Sequence, residues 1–99
     1  MLEGFDATFE HRHRLAIAVL LARHGELSFA RLKQQLDLTD GNLGAQTRKL
    51  VEAGYITVRK DFVERKPVTW YRLAPAGRKT LDKHLKALRH LMDAPPTGA

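Results

Sequence analysis

The chain has 99 residues, in which 17 Lys and Arg stand against 11 Asp and Glu, for a formal net charge of +6; its pI is near 10.1. It contains no cysteine, which excludes disulfides, thiolate-bound zinc, iron–sulfur clusters and thiol catalysis, and is compatible with a reducing compartment. A hydrophobic fraction of 43 % suits one core, and a chain of this size buries about two thirds of its unfolded surface without staples. The cationic surplus favours a polyanionic partner, because Lys and Arg that neutralise phosphates release condensed counterions. A basic surface that serves only solubility is the plain alternative. The N-terminus lacks a basic region followed by an apolar run. The longest apolar segment, Leu15 to Ala22, is far short of the roughly 20 residues that span a bilayer. The expectation is a soluble, cytoplasmic protein with no membrane partner.

In chain order, Met1 to Ala7 reads as a leader and 9–24 as the first helix. Thr8 is its expected N-cap, with His11 where a Glu would complete a capping box. Leu15, Val19 and Ala22 form one stripe, and Ala16, Leu20 and Arg23 run beside it. Gly25 ends the helix, and Leu27 is a short extended link. A second helix occupies 28–36, capped by Ser28, with Phe29, Leu32 and Leu36 inward. Asp37 and Leu38 make a tight connection. Thr39 caps a third helix over 40–53, and Asp40 suits its positive end. Leu43, Leu50 and Val51 form the apolar stripe of that helix, and Gly54 stops it.

The period then changes from helical to alternating. Ile56 and Val58 fall on one face, Thr57 and Arg59 on the other, and Val68 to Leu73 alternates as well. The segment 55–73 therefore reads as a two-stranded hairpin with a long basic tip, Asp61 to Pro67. Tyr71 and Leu73 are assigned to the core, and Trp70 to the outer face near Arg59. A last helix spans 75–93, with Pro75 in its first turn and Leu81, Leu85, Leu88 and Met92 at four-three-four spacing. Ala94 to Ala99 reads as a frayed tail. There is no internal repeat. The order amounts to a single α+β, mainly α domain over 1–99: a helix-turn-helix with a hairpin on its C-terminal side.

The third helix carries the recognisable chemistry. With its apolar side inward, Asn42, Ala45, Gln46 and Lys49 face out, Gly41 sits near the start and Arg48 at the flank. Asn and Gln amides bond adenine bidentately, Ala touches a thymine methyl, and Lys reaches guanine or phosphate. Gly41 and Gly44 each cost a helix about 1 kcal/mol against Ala, which suggests close approach of the helix backbone to DNA. The bland reading is an ordinary solvated face. Arg59, Lys60, Arg65 and Lys66 gather on the hairpin against Asp61 and Glu64, a pattern suited to phosphates or a minor groove. The competing reading is an edge protected from aggregation by Lys and Pro. Arg31, Lys33 and Gln34 are further candidates for phosphate contact, with Arg12 and Arg14 less so. The stripe Leu81, Leu85, Leu88 and Met92, with Leu91 beside it, exceeds what a small domain covers and so reads as a dimer interface; alternatively it closes the monomer core. His11, His13, His24, His84 and His90 show no metal-ligand spacing. No catalytic pair and no phosphate-binding glycine loop stand out, so neither an enzyme nor a cofactor or metal is expected.

The run from Leu27 to Leu88 resembles the small winged helix-turn-helix regulators of the MarR and ArsR groups. The resemblance rests on TDGNL (Thr39 to Leu43), EAGYI (Glu52 to Ile56) and TWYRLAPAGR (Thr69 to Arg78). It implies three helices, a two-stranded wing and a C-terminal dimerisation helix. It further implies a homodimeric, sequence-specific regulator of transcription on double-stranded DNA, with the third helix in the major groove. Carried over by position, Asn42, Ala45, Gln46 and Lys49 match base-facing sites, and Arg65 and Lys66 match the wing tip. Gly44 and Thr47 depart from the pattern, standing where a hydroxyl residue and a leucine are common in such proteins. Cysteine-based sensing known in some relatives cannot operate here, and nothing in the sequence demands a small-molecule effector. The alternative is a winged-helix module that contacts another protein and not DNA.

Overall fold

Side-chain caps set the helix boundaries of this computed structural model, which describes residues 2–96. The chain opens with a 3-10 turn, Ala7–Glu10, capped by Asp6, whose Oδ1 accepts from the Thr8 amide at 2.9 Å. Helix α1 then runs Arg12–His24, and its cap is His11, whose Nδ1 accepts from the His13 amide at 3.2 Å. Thr8 is therefore not the N-cap the sequence suggests. A carboxylate two residues earlier takes the Thr8 amide, and the first helical segment is split in two. Gly25, at φ 83°, ends α1 with its amide on the Leu21 carbonyl at 2.8 Å, a backbone sign that only glycine adopts freely.

Helix α1 is the centre of the molecule. Ile17, Ala18 and Leu21 are fully buried, while Leu15, Val19, Leu20 and Ala22 are partly buried around them. The expected single stripe is thus replaced by burial on most sides, which a helix with apolar residues around much of its girth permits. Strand β1, Glu26–Ser28, follows directly. It pairs antiparallel with the hairpin through Leu27 opposite Tyr71, so the extended link is the third strand of a sheet. Ser28 caps α2, Phe29–Leu36, and Thr39 caps α3, Asp40–Glu52; each hydroxyl accepts an amide three residues on, at 3.1 Å. Between them Asp37 adopts a left-handed conformation.

Strands β2, Ile56–Val63, and β3, Lys66–Leu73, complete a sheet of order β1-β3-β2. The hairpin spans nearly the expected residues, but its strands are longer and its tip shorter than the sequence suggests. Pairing continues through Phe62 opposite Pro67 to Val63 opposite Lys66. Only Glu64 and Arg65 are left to turn, at φ 52° and 67°. Positive φ at both central residues is the twist-matched hairpin turn, usually made by Asn-Gly. Proline is tolerated within β3 because it lies near the tip of an exposed ribbon.

Helix α4, Pro75–Asp93, docks by its first half. Leu81 is 1 % exposed and belongs to the core with Phe9, Ile17, Leu32, Leu43 and Leu50. It closes the monomer and cannot join the dimer stripe expected of it. From Leu85 onward the apolar residues of α4 are exposed, with Leu85, Leu88, Leu91 and Met92 in water. The docking point is Tyr55. Its carbonyl accepts from the Ala74 amide at 2.9 Å, and Gly77 lies so close that a Cβ there would overlap that carbonyl. The Tyr55 hydroxyl donates to Asp6 at 2.9 Å, its ring stacks on Phe9 at 5.3 Å, and the Asp6 amide donates to Nδ1 of buried His84 at 3.0 Å. Burial first, and then the Asp6 carboxylate, raise the Tyr55 pKa above its ordinary value. The leader is thus clamped to α4. Gly77→Ala is expected to destabilise by about 1–3 kcal/mol through overpacking. By contrast Gly41→Ala, with open space around it, is expected to stabilise by about 1 kcal/mol. Thermal unfolding of both variants measures the contrast.

Candidate nucleic-acid interface

Helix α3 presents its outer side to water from its first turn. Asn42, Arg48 and Lys49 are exposed and Ala45 is half-buried. Apart from adjacent residues and the helix's own backbone, nothing lies within 4 Å of where a Cβ would stand at Gly41 or Gly44. Neither glycine is there to relieve crowding within the fold, and each costs the helix about 1 kcal/mol.

Gln46 departs from the expected outer face. It is 8 % exposed, and its Oε1 accepts from Arg14 Nη1 at 2.9 Å. Arg14 Nε in turn donates to the Thr8 carbonyl at 2.7 Å. The inward stripe of α3 is Leu43, Gln46, Thr47 and Leu50, the i, i+3, i+4, i+7 series of one helix face. Val51, placed in the stripe by sequence, is 37 % exposed. A glutamine reads as a surface residue until a buried donor is known, and Arg14 supplies that donor from 32 positions away. Thr47 also turns inward, with its hydroxyl on the Gly44 carbonyl at 3.2 Å. Gln46 ties α3 to α1 through Arg14, and both residues are buried on the inner side of α3.

The wing divides its charges in two. Arg59 is held by Glu26 at 3.0 Å and Asp61 at 2.8 Å, and its guanidinium lies 5.6 Å from the centre of the Trp70 ring. The Glu26 hydrogen bond, ahead of Asp61, pushes the Arg59 pKa up. The Phe62 amide, and then Arg59, hold the Asp61 carboxyl below its ordinary value. Arg59, a sequence candidate for DNA contact, is therefore a brace across the sheet with its charge already matched. Tyr71 is buried and Trp70 faces out beside Arg59, as the strand alternation requires. Lys60, Arg65 and Lys66 are exposed and enter no ion pair among the described residues.

A crevice of about 360 Å³ separates the wing from α3, with Gly44, Arg48 and Val51 on one wall and Val58 and Lys60 on the other. The far side of α3 meets the start of α1. There burial first, and then the positive charges of Arg14, His13, Lys49 and Arg12, lower the His11 pKa. Arg12, Arg14 and Lys49, all named from the sequence, thus come together around a histidine held toward its neutral form. On α2, Arg31 is exposed and reaches Gln34 at 3.4 Å, while Lys33 pairs with Asp40 at 2.9 Å. Gln46→Ala is expected to cost about 1–3 kcal/mol of stability, by removing the acceptor of Arg14 Nη1. Unfolding by denaturant measures that cost; Gln46 Nε2 also donates to Asn42 Oδ1 at 3.5 Å, so the same variant frees the Asn42 amide.

Comparison with known proteins agrees with this geometry. Residues 13–92 match the family model described as a winged helix DNA-binding domain. A protein of Methanocaldococcus jannaschii, itself described as uncharacterized, is 30 % identical over 78 residues, covering 79 % of this chain and 85 % of that protein. Among solved structures, the transcriptional regulator homologue of Pyrococcus horikoshii superimposes with a TM-score of 0.82 at 27 % identity, covering 87 % of this chain and 85 % of that one. The transcriptional repressor BigR of Xylella fastidiosa gives 0.63 at 26 % identity, covering 90 % and 83 %. Among the described residues no helix is long and apolar enough to cross a membrane. With three capped helices, a paired wing and a trailing helix in the expected order, the MarR-like resemblance is borne out, and the chain belongs to the winged helix DNA-binding domain family.

Proposed function

We propose that the protein is a homodimeric regulator of transcription that binds double-stranded DNA sequence-specifically. In this reading α3 lies in the major groove and the wing on the backbone or in the adjacent minor groove. The observation that carries it is the open outer side of α3, where exposed Gly41 leaves the helix backbone bare beside exposed Asn42, Arg48 and Lys49, and half-buried Gly44 opens the side toward the wing. Bare backbone lets a helix sit deep, and amide and cationic side chains at its edges suit base edges and phosphates. Asn42, Ala45 and Lys49 are the base-facing residues. Arg31, Arg48, Arg65 and Lys66 contact phosphates, and Lys60 joins them. Gln46 supports α3 from behind, and Arg59 stiffens the wing.

The second copy packs along the distal half of α4. Leu85, Leu88, Leu91 and Met92 are exposed there, Met92 to 81 %, more contiguous apolar surface than a solitary domain ordinarily leaves in water. A two-fold pair places two α3 helices on successive major grooves and doubles the phosphate contacts. The alternative of a protein-binding module gains nothing from the outer side of α3, which is polar and cationic.

Two measurements test this. In filter binding over a range of salt, Arg65→Ala with Lys66→Ala should weaken binding to every duplex and lower the salt slope by about 2. Asn42→Ala should instead relax preference at one base pair, by about 1–3 kcal/mol. Wild-type protein that leaves random duplex unbound at low salt overturns the reading. For the assembly, Leu88→Glu should turn a sedimenting dimer into a folded monomer and weaken DNA binding with it.

A further inference from the structure

The wing carries an apolar knob among its charges. Phe62 is 71 % exposed and pairs across the ribbon with Pro67, one step before the Glu64–Arg65 turn. Strand alternation puts Phe62 on the same face as Ile56, Val58 and Lys60. That is the face whose Val58 and Lys60 look across the crevice at Gly44 and Arg48 of α3. A duplex lying on α3 would run beside it. The knob is also held in place. Asp61 Oδ1 accepts from the Phe62 amide at 2.8 Å while its other oxygen takes Arg59 at 2.8 Å, and Arg59 reaches back to Glu26 in β1. Of the acids near the knob, Asp61 is neutralised by Arg59 and turned to the opposite face, and Glu64 stands at the turn itself. Lys60 lies on the knob's own face and Arg65 stands at the turn, both unmatched among the described residues, while Lys66, paired with Val63, lies on the opposite face.

An aromatic ring and a proline on a paired ribbon, flanked by the cations Lys60 and Arg65, suit one occupant, the minor groove of DNA. Cations draw the groove in, and apolar side chains such as Phe and Pro wedge between base pairs and kink the duplex. The geometry points to Phe62, backed by Pro67, as a wedge that partly unstacks one base step and bends the DNA as the protein binds. Pyrimidine–purine steps unstack most readily, so the wedge adds a preference for such a step at the wing, apart from the bases that α3 reads. This rests on the DNA-binding reading above and assigns a further activity to it.

The test uses the full chain and duplexes recovered by selection from a random pool, with 2-aminopurine at successive steps under the wing. Wild-type protein should raise the fluorescence at one step and bend the duplex in an end-labelled energy-transfer assay. Phe62→Ala should lose most of both signals while keeping its thermal stability and its salt slope, since no charge is removed. Phe62→Leu should retain them in part. Binding by wild type with no fluorescence rise, or a Phe62→Ala complex as bent and as bright as wild type, overturns the wedge and leaves Phe62 to a protein contact. Absence of any wild-type binding at low salt overturns the DNA reading itself and the wedge with it.

Discussion

The fold depends on one residue at the junction of its parts. Tyr55 follows α3 and precedes β2, and every polar group it owns is engaged. Its amide closes the end of α3 on the Leu50 carbonyl, its carbonyl receives α4 at Ala74, and its hydroxyl holds Asp6 of the leader. The ring stacks on Phe9, and the backbone is covered by Gly77 with no room for a side chain between them. Backbone groups buried this way must be paired, so α3, the wing, α4 and the leader are adjusted to one another through a single peptide unit. The Asp6–His84 hydrogen bond, across 78 positions, secures the same joint from the other side. Rigid presentation of α3 follows from this, because a helix anchored at its C-terminal end by packed backbone cannot drift on flexible side chains.

How much of this could be read in advance depends on the range of the interactions. Ser28, Thr39 and Gly25 act within three or four residues of themselves, and their caps are where the sequence places them. Alternation along Ile56 and Val68 to Leu73 is local as well, and the hairpin and the orientation of Tyr71 followed from it. What was not legible is long-range. Three residues of β1 are too few to show a period, and only β3 makes them a strand. Asp6 and His84 look like a leader residue and a surface histidine until packing joins them. Gln46 has the composition of a reading residue and the position of a core residue, and only Arg14 explains how a glutamine can occupy it. The short tip was hidden for a different reason: Glu and Arg are poor at positive φ, so their sequence does not announce the turn they make.

The same division sorts the candidate site. Among its cations, the structure separates charges spent internally from charges left over. Arg14 and Arg59 are taken by Gln46 and by a pair of carboxylates, and they work as struts. Lys49, Lys60, Arg65 and Lys66 have no such partner among the described residues and remain available to an anion. Exposed ion pairs contribute little to stability, and the value of Arg59 lies in geometry. It ties β1 to β2 across the face of Trp70 in β3.

The bare contact at Gly77 has a consequence for scale. Helix α4 has that contact in its first turn and is a rod of 19 residues in all, about 28 Å long at 1.5 Å per residue. Backbone rests on backbone there, and buried Leu81 and His84 hold the next two turns of the rod. Its far end therefore behaves as a lever with its fulcrum at Tyr55. A few degrees of tilt at the fulcrum would swing Leu88 by an ångström or more, and in a pair of copies joined along α4 would change the span between the two α3 helices. In such an assembly the distance between the two DNA half-sites is gauged by a glycine that touches neither the DNA nor the second copy.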